Sequence, residues 1–291
     1  MPSQHGAEAA PSSPALDAVR GPVDDVVARF LGDRRAELAA MDPASAALVD
    51  ELTRLLGAGG KRIRPAICWW AFNAAGGDAG EPILRACAAL ELLHTSALVH
   101  DDLMDRDDER RGVDSSHVRF AKEAPVGADP DAFGTAAAVL VGDLALVLSE
   151  QLLRTSGFAG DLVGRAMSRF DRMRAEMAAG QFLDVSGAAD RRRVRALKTG
   201  SYTAEGPVLI GAALAGAGAS AEGSLRVFGR LVGEAFQLRD DVLDGETADA
   251  DAELGDLLDR AGRALEDAPL RRDGVDGLLE ISDLLRSPRI H

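Results

Sequence analysis

A chain of 291 residues can bury a large core, and its composition (46% apolar but 4% aromatic, rich in Ala, Leu, Gly and Arg) lacks the β-branched and aromatic enrichment of strands and favours helices. A formal net charge of -14 argues against nucleic acid as a partner, because phosphate binding needs a basic surface; the acidity fits either solubility or clustered carboxylates that take up divalent cations. The two cysteines, Cys68 and Cys87, lie in apolar helix-like stretches without metal-ligand or CxxC spacing, so they read as buried structural thiols in a reducing, cytoplasmic setting.

Residues 1–22 are rich in Ala, Pro and Ser and lack the basic start and apolar run of a secretory signal, so a disordered leader is expected before a helical domain at 23–291. Helical periodicity begins near Val23 and is punctuated by Gly57 to Gly60, Gly76 to Gly80, Gly112 to Ser115 and Pro125 to Pro130. The clearest helix is Pro82 to Met104: Ile83, Cys87, Leu90 and His94 share one stripe, and Ala86, Leu93, Ala97 and Asp101 a neighbouring one. Further helices are expected over 134–155, 160–186, 204–218, 222–244, 251–268 and 274–286. The longest weakly apolar stretch, Pro207 to Ser220, is too short to cross a bilayer, so no transmembrane segment is expected.

Two acidic runs carry the chemistry. In His100-Asp101-Asp102-Leu103-Met104-Asp105, Asp101 and Asp105 share a helix face, where like charges repel unless a cation sits between them. Hard oxygen ligands of this kind suit magnesium, which takes the rest of its shell from water and phosphate. The second run, Asp240-Asp241-Val242-Leu243-Asp244, repeats the pattern in an apolar helix, where carboxylates are costly unless paired or metal-bound. Two such helices facing each other would clamp several magnesium ions around one diphosphate. An EF-hand is excluded, because neither run supplies the Gly and Glu that its loop requires.

Basic residues complete the pattern. Gly59-Gly60-Lys61-Arg62-Ile63-Arg64-Pro65 offers backbone N–H groups and a cationic fork for a phosphate. Arg110-Arg111-Gly112 follows the first acidic run by one or two helical turns, and Lys198-Thr199-Gly200-Ser201-Tyr202 adds a cation and hydroxyls. Taken singly, each has a bland reading: a solvated acidic face, an ordinary basic helix start, or, for His94, a packed helix histidine. Gln181, Asp184 and Gln237 are polar residues in apolar helical settings that need partners if buried.

Together GGKRIRP (59–65), ELLHTSALVHDDLMDRDDERRG (91–112), GD (142–143), GQFLD (180–184), KTGSYT (198–203) and FQLRDDVLD (236–244) resemble the trans-type isoprenyl (polyprenyl) diphosphate synthases. The resemblance spans roughly 25–245 in the right order. It implies an all-α helical bundle around a central cavity, usually a homodimer. It implies that Asp101, Asp102 and Asp105 hold magnesium on an allylic diphosphate and that Asp240, Asp241 and Asp244 serve the opposing cluster. By the same resemblance Lys61, Arg64, His94 and Arg111 form the isopentenyl diphosphate site, Arg110, Lys198, Thr199 and Gln237 the allylic diphosphate site, and Gly60 is a further substrate-binding residue. Asp101, Asp105, Asp240 and Lys198 carry catalysis.

The residues about 5.4 Å below Asp101 along the helix, Ser96 and Ala97, are small, so a product of C20 or longer, geranylgeranyl diphosphate foremost, is expected, and Ser96→Phe should shorten it. One departure stands out. The family continues past the second acidic run with a loop carrying Gly and Lys, whereas this chain has no lysine after Lys198 and passes from Gly245 into Glu246-Thr247-Ala248-Asp249, which looks like a later helix start. A non-catalytic regulatory subunit and a class I terpene cyclase are the competing functions.

Overall fold

The structure, a computed structural model, describes residues 13–187, 190, 194, 196–243 and 250–287. Eleven α-helices account for almost all of it among the described residues: α1 (Pro14–Met41), α2 (Ala46–Gly57), α3 (Ile63–Ala74), α4 (Glu81–Asp105), α5 (Ser116–Lys122), α6 (Pro130–Arg154), α7 (Gly160–Val185), α8 (Gly206–Leu214), α9 (Ala219–Leu243), α10 (Asp251–Glu266) and α11 (Arg272–Asp283). A π-helical segment, Ala196–Glu205, runs directly into α8, and one small hairpin, β1 (Glu109–Arg110) with β2 (Val113–Asp114), follows α4. The chain is therefore all-α in class, as its composition indicates.

The chain assorts into two compact units interleaved in sequence, so no single cut separates them. The unit holding α4 comprises Gly21–Gly60 and Ala79–Met167. There α4 and α6 pack along each other, α5 lies on α6, and α2 meets both. Helix α4 starts with Glu81 and Pro82 in its first turn, where a missing N–H costs nothing. Helix α6 is capped by the Asp129 carboxylate, which accepts from the Asp131 and Ala132 N–H groups at 3.0 and 3.3 Å. The unit holding α8 comprises Met1–Arg20, Lys61–Asp78 and Ser168–His291. Helix α8 is buried at every position and packs on α3 and α9; α11 covers α3, and α10 lies on α9. Cys68 and Cys87 are both buried and free.

Two expectations need correction. Helix α1 begins at Pro14, inside the expected leader: Leu16, Val19 and Val23 form a fully buried stripe, the Ala15 N–H donates to Glu280 at 2.9 Å, and its carbonyl accepts from Trp70 Nε1 at 2.9 Å. The apolar positions are spaced as in any amphipathic helix, but Ala18, Gly21 and Pro22 between them mask the pattern. The helix expected over 204–218 is split between the π-helical segment and α8. Helices α4 and α6 are both long and apolar enough to cross a membrane by length and composition alone, a test that core helices also pass, and most of the α4 window is buried within the fold.

Candidate active site

The end of α4 presents two stripes. His94, Ala97, Asp101 and Asp105 recur with helical spacing and are half-buried or exposed; Thr95, Val99 and Asp102 recur on another side and are buried. Asp101 and Asp105 thus share one accessible side, about 6 Å apart along the axis. Asp102 points elsewhere. It is 2% exposed and accepts from Arg110 Nε at 2.7 Å and from Arg110 Nη2, which also reaches Asp107 Oδ2 at 3.2 Å. Burial pushes the Asp102 carboxyl above its usual range; Arg110 opposes this, while Asp107 and Asp101 reinforce it.

Helix α4 stops at a left-handed cap, Arg106 (φ 60°), whose N–H returns to the Asp102 carbonyl. The hairpin follows, with Glu109 opposite Asp114 and Arg110 opposite Val113. Its two turn residues, Arg111 (φ 54°) and Gly112 (φ 75°), both have positive φ, the signature of a type I′ turn matched to strand twist. Arg110 and Arg111 therefore sit on a strand and a turn, not on helical turns beyond the aspartates as the spacing implied. Arg111 Nη1 donates to the carbonyl of Gly59, the first glycine of the GGKR run.

In the unit holding α8, α3 starts at Ile63 after a buried left-handed Arg62 (φ 56°). The Arg64 guanidinium lies 4.3 Å from the Tyr202 ring centroid and donates to Thr203 Oγ1 at 3.1 Å, while its buried Nε lacks a partner. Lys61 is half-buried beside this helix start. The π-helical segment lies against α9 closely enough that a Cβ at Gly233 would meet the Gly200 carbonyl oxygen at 2.5 Å, and one at Gly200 would meet Gln237 Nε2 at 2.7 Å. Gln237 Nε2 is buried and unpartnered. Asp240 and Asp241 are half-buried in the last turn of α9, next to Arg239, which is 5% exposed and has Nη1 3.6 Å from Asp251 Oδ1. Gln181 and Asp184 are half-buried near the end of α7. The Lys198 and Thr199 side chains and all of Asp244 lie outside the described residues.

Both acidic runs stand at helix C-termini, and neither last turn holds a basic residue. The helix dipole disfavours anions there by about 0.3–1 kcal/mol each, so these carboxylates need cations from elsewhere. Among the described residues no three His, Cys, Asp or Glu side chains converge into a ready-made cage. Magnesium requires less: one or two carboxylates, with water and phosphate filling its shell. The all-oxygen pair Asp101 and Asp105 fits that demand, and Asp240 and Asp241 offer carboxylates of the same kind. Asp102, as it stands, serves Arg110.

A family model described as "Polyprenyl synthetase" matches residues 45–256. The chain belongs to the polyprenyl synthetase family. A geranylgeranyl diphosphate synthase from Methanosarcina mazei is 34% identical over 196 residues, covering 65% of this chain and 56% of that protein. A geranylfarnesyl diphosphate synthase from Aeropyrum pernix is 33% identical over 200 residues, covering 65% of this chain and 58% of that protein. The chain thus spans little more than half the length of the curated relatives it matches. A geranylgeranyl pyrophosphate synthase from Corynebacterium glutamicum, solved with isoprenyl diphosphate and magnesium, aligns with a TM-score of 0.86 at 24% identity over 94% of this chain and 99% of that one, a likeness of fold.

Within this family member, motif reading missed three features. Tyr202 and Thr203, which hold Arg64, stood in the KTGSYT run, but nothing in their spacing showed that they meet a residue so distant in sequence. The type I′ turn was signalled by Arg111-Gly112 between short polar runs, a weaker cue than Asn-Gly. Glu51, fully buried on α2, carried no motif signal.

Proposed function

We propose that the chain condenses isopentenyl diphosphate with an allylic prenyl diphosphate, in a magnesium-dependent transfer yielding a product of C20 or longer. The observation that carries this reading is the paired Asp101 and Asp105 on an accessible side of α4, with Arg110 and Arg111 held just beyond them on a hairpin by Asp102 and the Gly59 carbonyl. In this reading Asp101 and Asp105 hold metal, and Asp240 and Asp241 supply further carboxylates of the same kind. Magnesium, when bound, supplies positive charge to the diphosphate. Arg110, with Lys198, Thr199 and Gln237, binds the allylic diphosphate; the unpartnered Gln237 amide is a donor awaiting an acceptor. Gly60, Lys61, Arg64, His94 and Arg111 bind isopentenyl diphosphate.

The allylic C–O bond breaks and its electron pair leaves with the diphosphate, whose growing charge the arginines stabilise. The isopentenyl double bond then attacks the cationic carbon, forming the new C–C bond. A proton leaves the adjacent carbon, with the released diphosphate as base. The cation must be kept from water until it is attacked. Of the two residues below Asp101, Ala97 lies about 40° from it around the helix and is half-buried, whereas Ser96 lies about 140° away and is buried. Ala97→Phe is therefore expected to shorten the product more than Ser96→Phe, read by chromatography of the dephosphorylated alcohols.

Exposed Val139, Leu140 and Val147 on α6 support a homodimer through that helix, testable by sedimentation velocity. The two free, buried cysteines support a cytoplasmic setting. The deciding experiment incubates the protein with magnesium, isopentenyl diphosphate and allylic primers. Chain-extended diphosphate that disappears on chelation supports the reading. Cyclic hydrocarbon would indicate a cyclase. No product would favour the non-catalytic subunit, the reading encouraged by the lack of lysine after Lys198.

A further inference from the structure

The hairpin that carries Arg110 and Arg111 is tied to a carboxylate outside every motif. Glu51, on α2, has 0% exposure. Its Oε1 accepts from Arg54 Nη2 at 2.7 Å and from Ser116 Oγ at 2.6 Å; its Oε2 accepts from Arg54 Nε at 2.7 Å and from Arg119 Nη1. Arg54 Nη2 also donates to the carbonyl of Asp114 at 2.8 Å. Burial alone would raise this carboxyl, but Arg54, Ser116 and Arg119 outweigh it and leave it below the usual range.

The partners are not scattered. Asp114 ends β2, Ser116 starts α5, and Arg119 lies one turn further. The Glu51–Arg54 pair thus grips the strand leaving the hairpin through both its backbone and the helix that follows. The strand entering the hairpin ends in Arg110, paired with Asp102, and the turn holds Arg111 on Gly59, just past the end of α2. Helix α2 therefore supplies the clamp on one strand and, through its C-terminal loop, the acceptor for the turn.

We propose that Glu51 is a positioning residue that sets Arg110 and Arg111 against the Asp101–Asp105 end of α4, so that both guanidiniums meet a diphosphate without reorganising. A purely structural ion pair would stabilise the same unit but leave diphosphate affinity alone. The roles of Arg110 and Arg111 in this inference rest on the function proposed above.

The test uses full-length wild type, Glu51→Gln, Arg111→Ala and the double variant, well below their melting temperatures. Calorimetric titration with inorganic pyrophosphate and magnesium runs beside steady-state kinetics with both substrates. Glu51→Gln should bind pyrophosphate about tenfold more weakly, a size typical for loss of a group that orients a ligand-binding one. Its KM values should rise more than its kcat falls. The double variant should lose less affinity than the two single losses combined, because with Arg111 gone Glu51 has only Arg110 left to position. A lowered melting temperature with unchanged affinity and KM, or effects that add, would overturn the proposal.

Should Glu51→Gln not fold, Ser116→Ala removes one bond to the carboxylate and leaves both arginines. It should weaken pyrophosphate binding about threefold, and an unchanged affinity overturns the proposal. Wild type that binds pyrophosphate but makes no extended product sinks the functional reading and leaves the titration to judge Glu51. Wild type that binds no pyrophosphate overturns both.

Discussion

The Asp-Asp-x-x-Asp pattern occurs twice, at the ends of α4 and α9, and the two copies are held in different ways. The first has its cations delivered from outside the helix: the chain caps at Arg106, turns back through a hairpin, and brings Arg110 onto Asp102 and Arg111 onto Gly59. The second has its cation within the helix, at the buried Arg239, which faces Asp251, and it leans on the π-helical segment through Gly233 and Gly200. Identical spacing therefore does not mean identical surroundings. A helix C-terminus opposes anions in both cases, but the first copy is wired for charge and the second for close packing against the segment that contains Lys198.

The largest expected effect is common to both copies. Asp101→Asn and Asp240→Asn should each lower the condensation rate by about a thousandfold with folding intact, because both would hold the charge that meets the departing diphosphate. A large loss in one variant only, in steady-state assays with saturating magnesium, would break the functional equivalence. The middle aspartates should part company. Asp102→Asn leaves the Arg110 guanidinium facing a neutral amide and should cost about 3 kcal/mol in urea unfolding. Asp241→Asn, at a half-buried position, should stay within about 1 kcal/mol.

Next come the glycines of the second copy. Gly233→Ala would press a methyl group onto a backbone carbonyl and should cost about 2 kcal/mol. Gly200→Ala meets only the movable end of Gln237, so it should cost less stability while raising KM for the allylic substrate. Equal unfolding midpoints for the two variants would contradict this packing.

The smallest effect is a pH dependence on the first copy's side. The folded-state pKa of Glu51 lies below its unfolded value, so its ionised form adds stability at neutral pH that is lost as pH falls from the ordinary glutamate range through the folded value. The stability gap between wild type and Glu51→Gln should be widest near pH 7 and narrow on acidification below about pH 4. A gap that does not change with pH would show that Glu51 is not held ionised.

Much of this was legible without coordinates. The helix expected from Pro82 to Met104 spans Glu81–Asp105, and that expected over 160–186 spans Gly160–Val185, since apolar spacing and flanking breakers act locally. The start of α1 was not legible, because Leu16 and Val19 are set among Ala and Pro, and the Ala15 backbone beside them is held by Trp70 and Glu280, far along the chain. The hairpin was hidden for the converse reason: two strands of two residues each carry no periodicity to detect.

By itself the sequence determined the all-α class, the family, and the acidic and basic residues with the chemistry to handle a diphosphate. These depend on residue type and short-range order, which a string of letters preserves. Tertiary structure alone decided that Asp102 answers to Arg110, that Arg64 rests on Tyr202, and that Glu51 anchors Ser116 and Arg119. Such pairings join positions that helical spacing does not bring together, and the cost of burying each charge is met only by a partner that folding, not spacing, brings within reach.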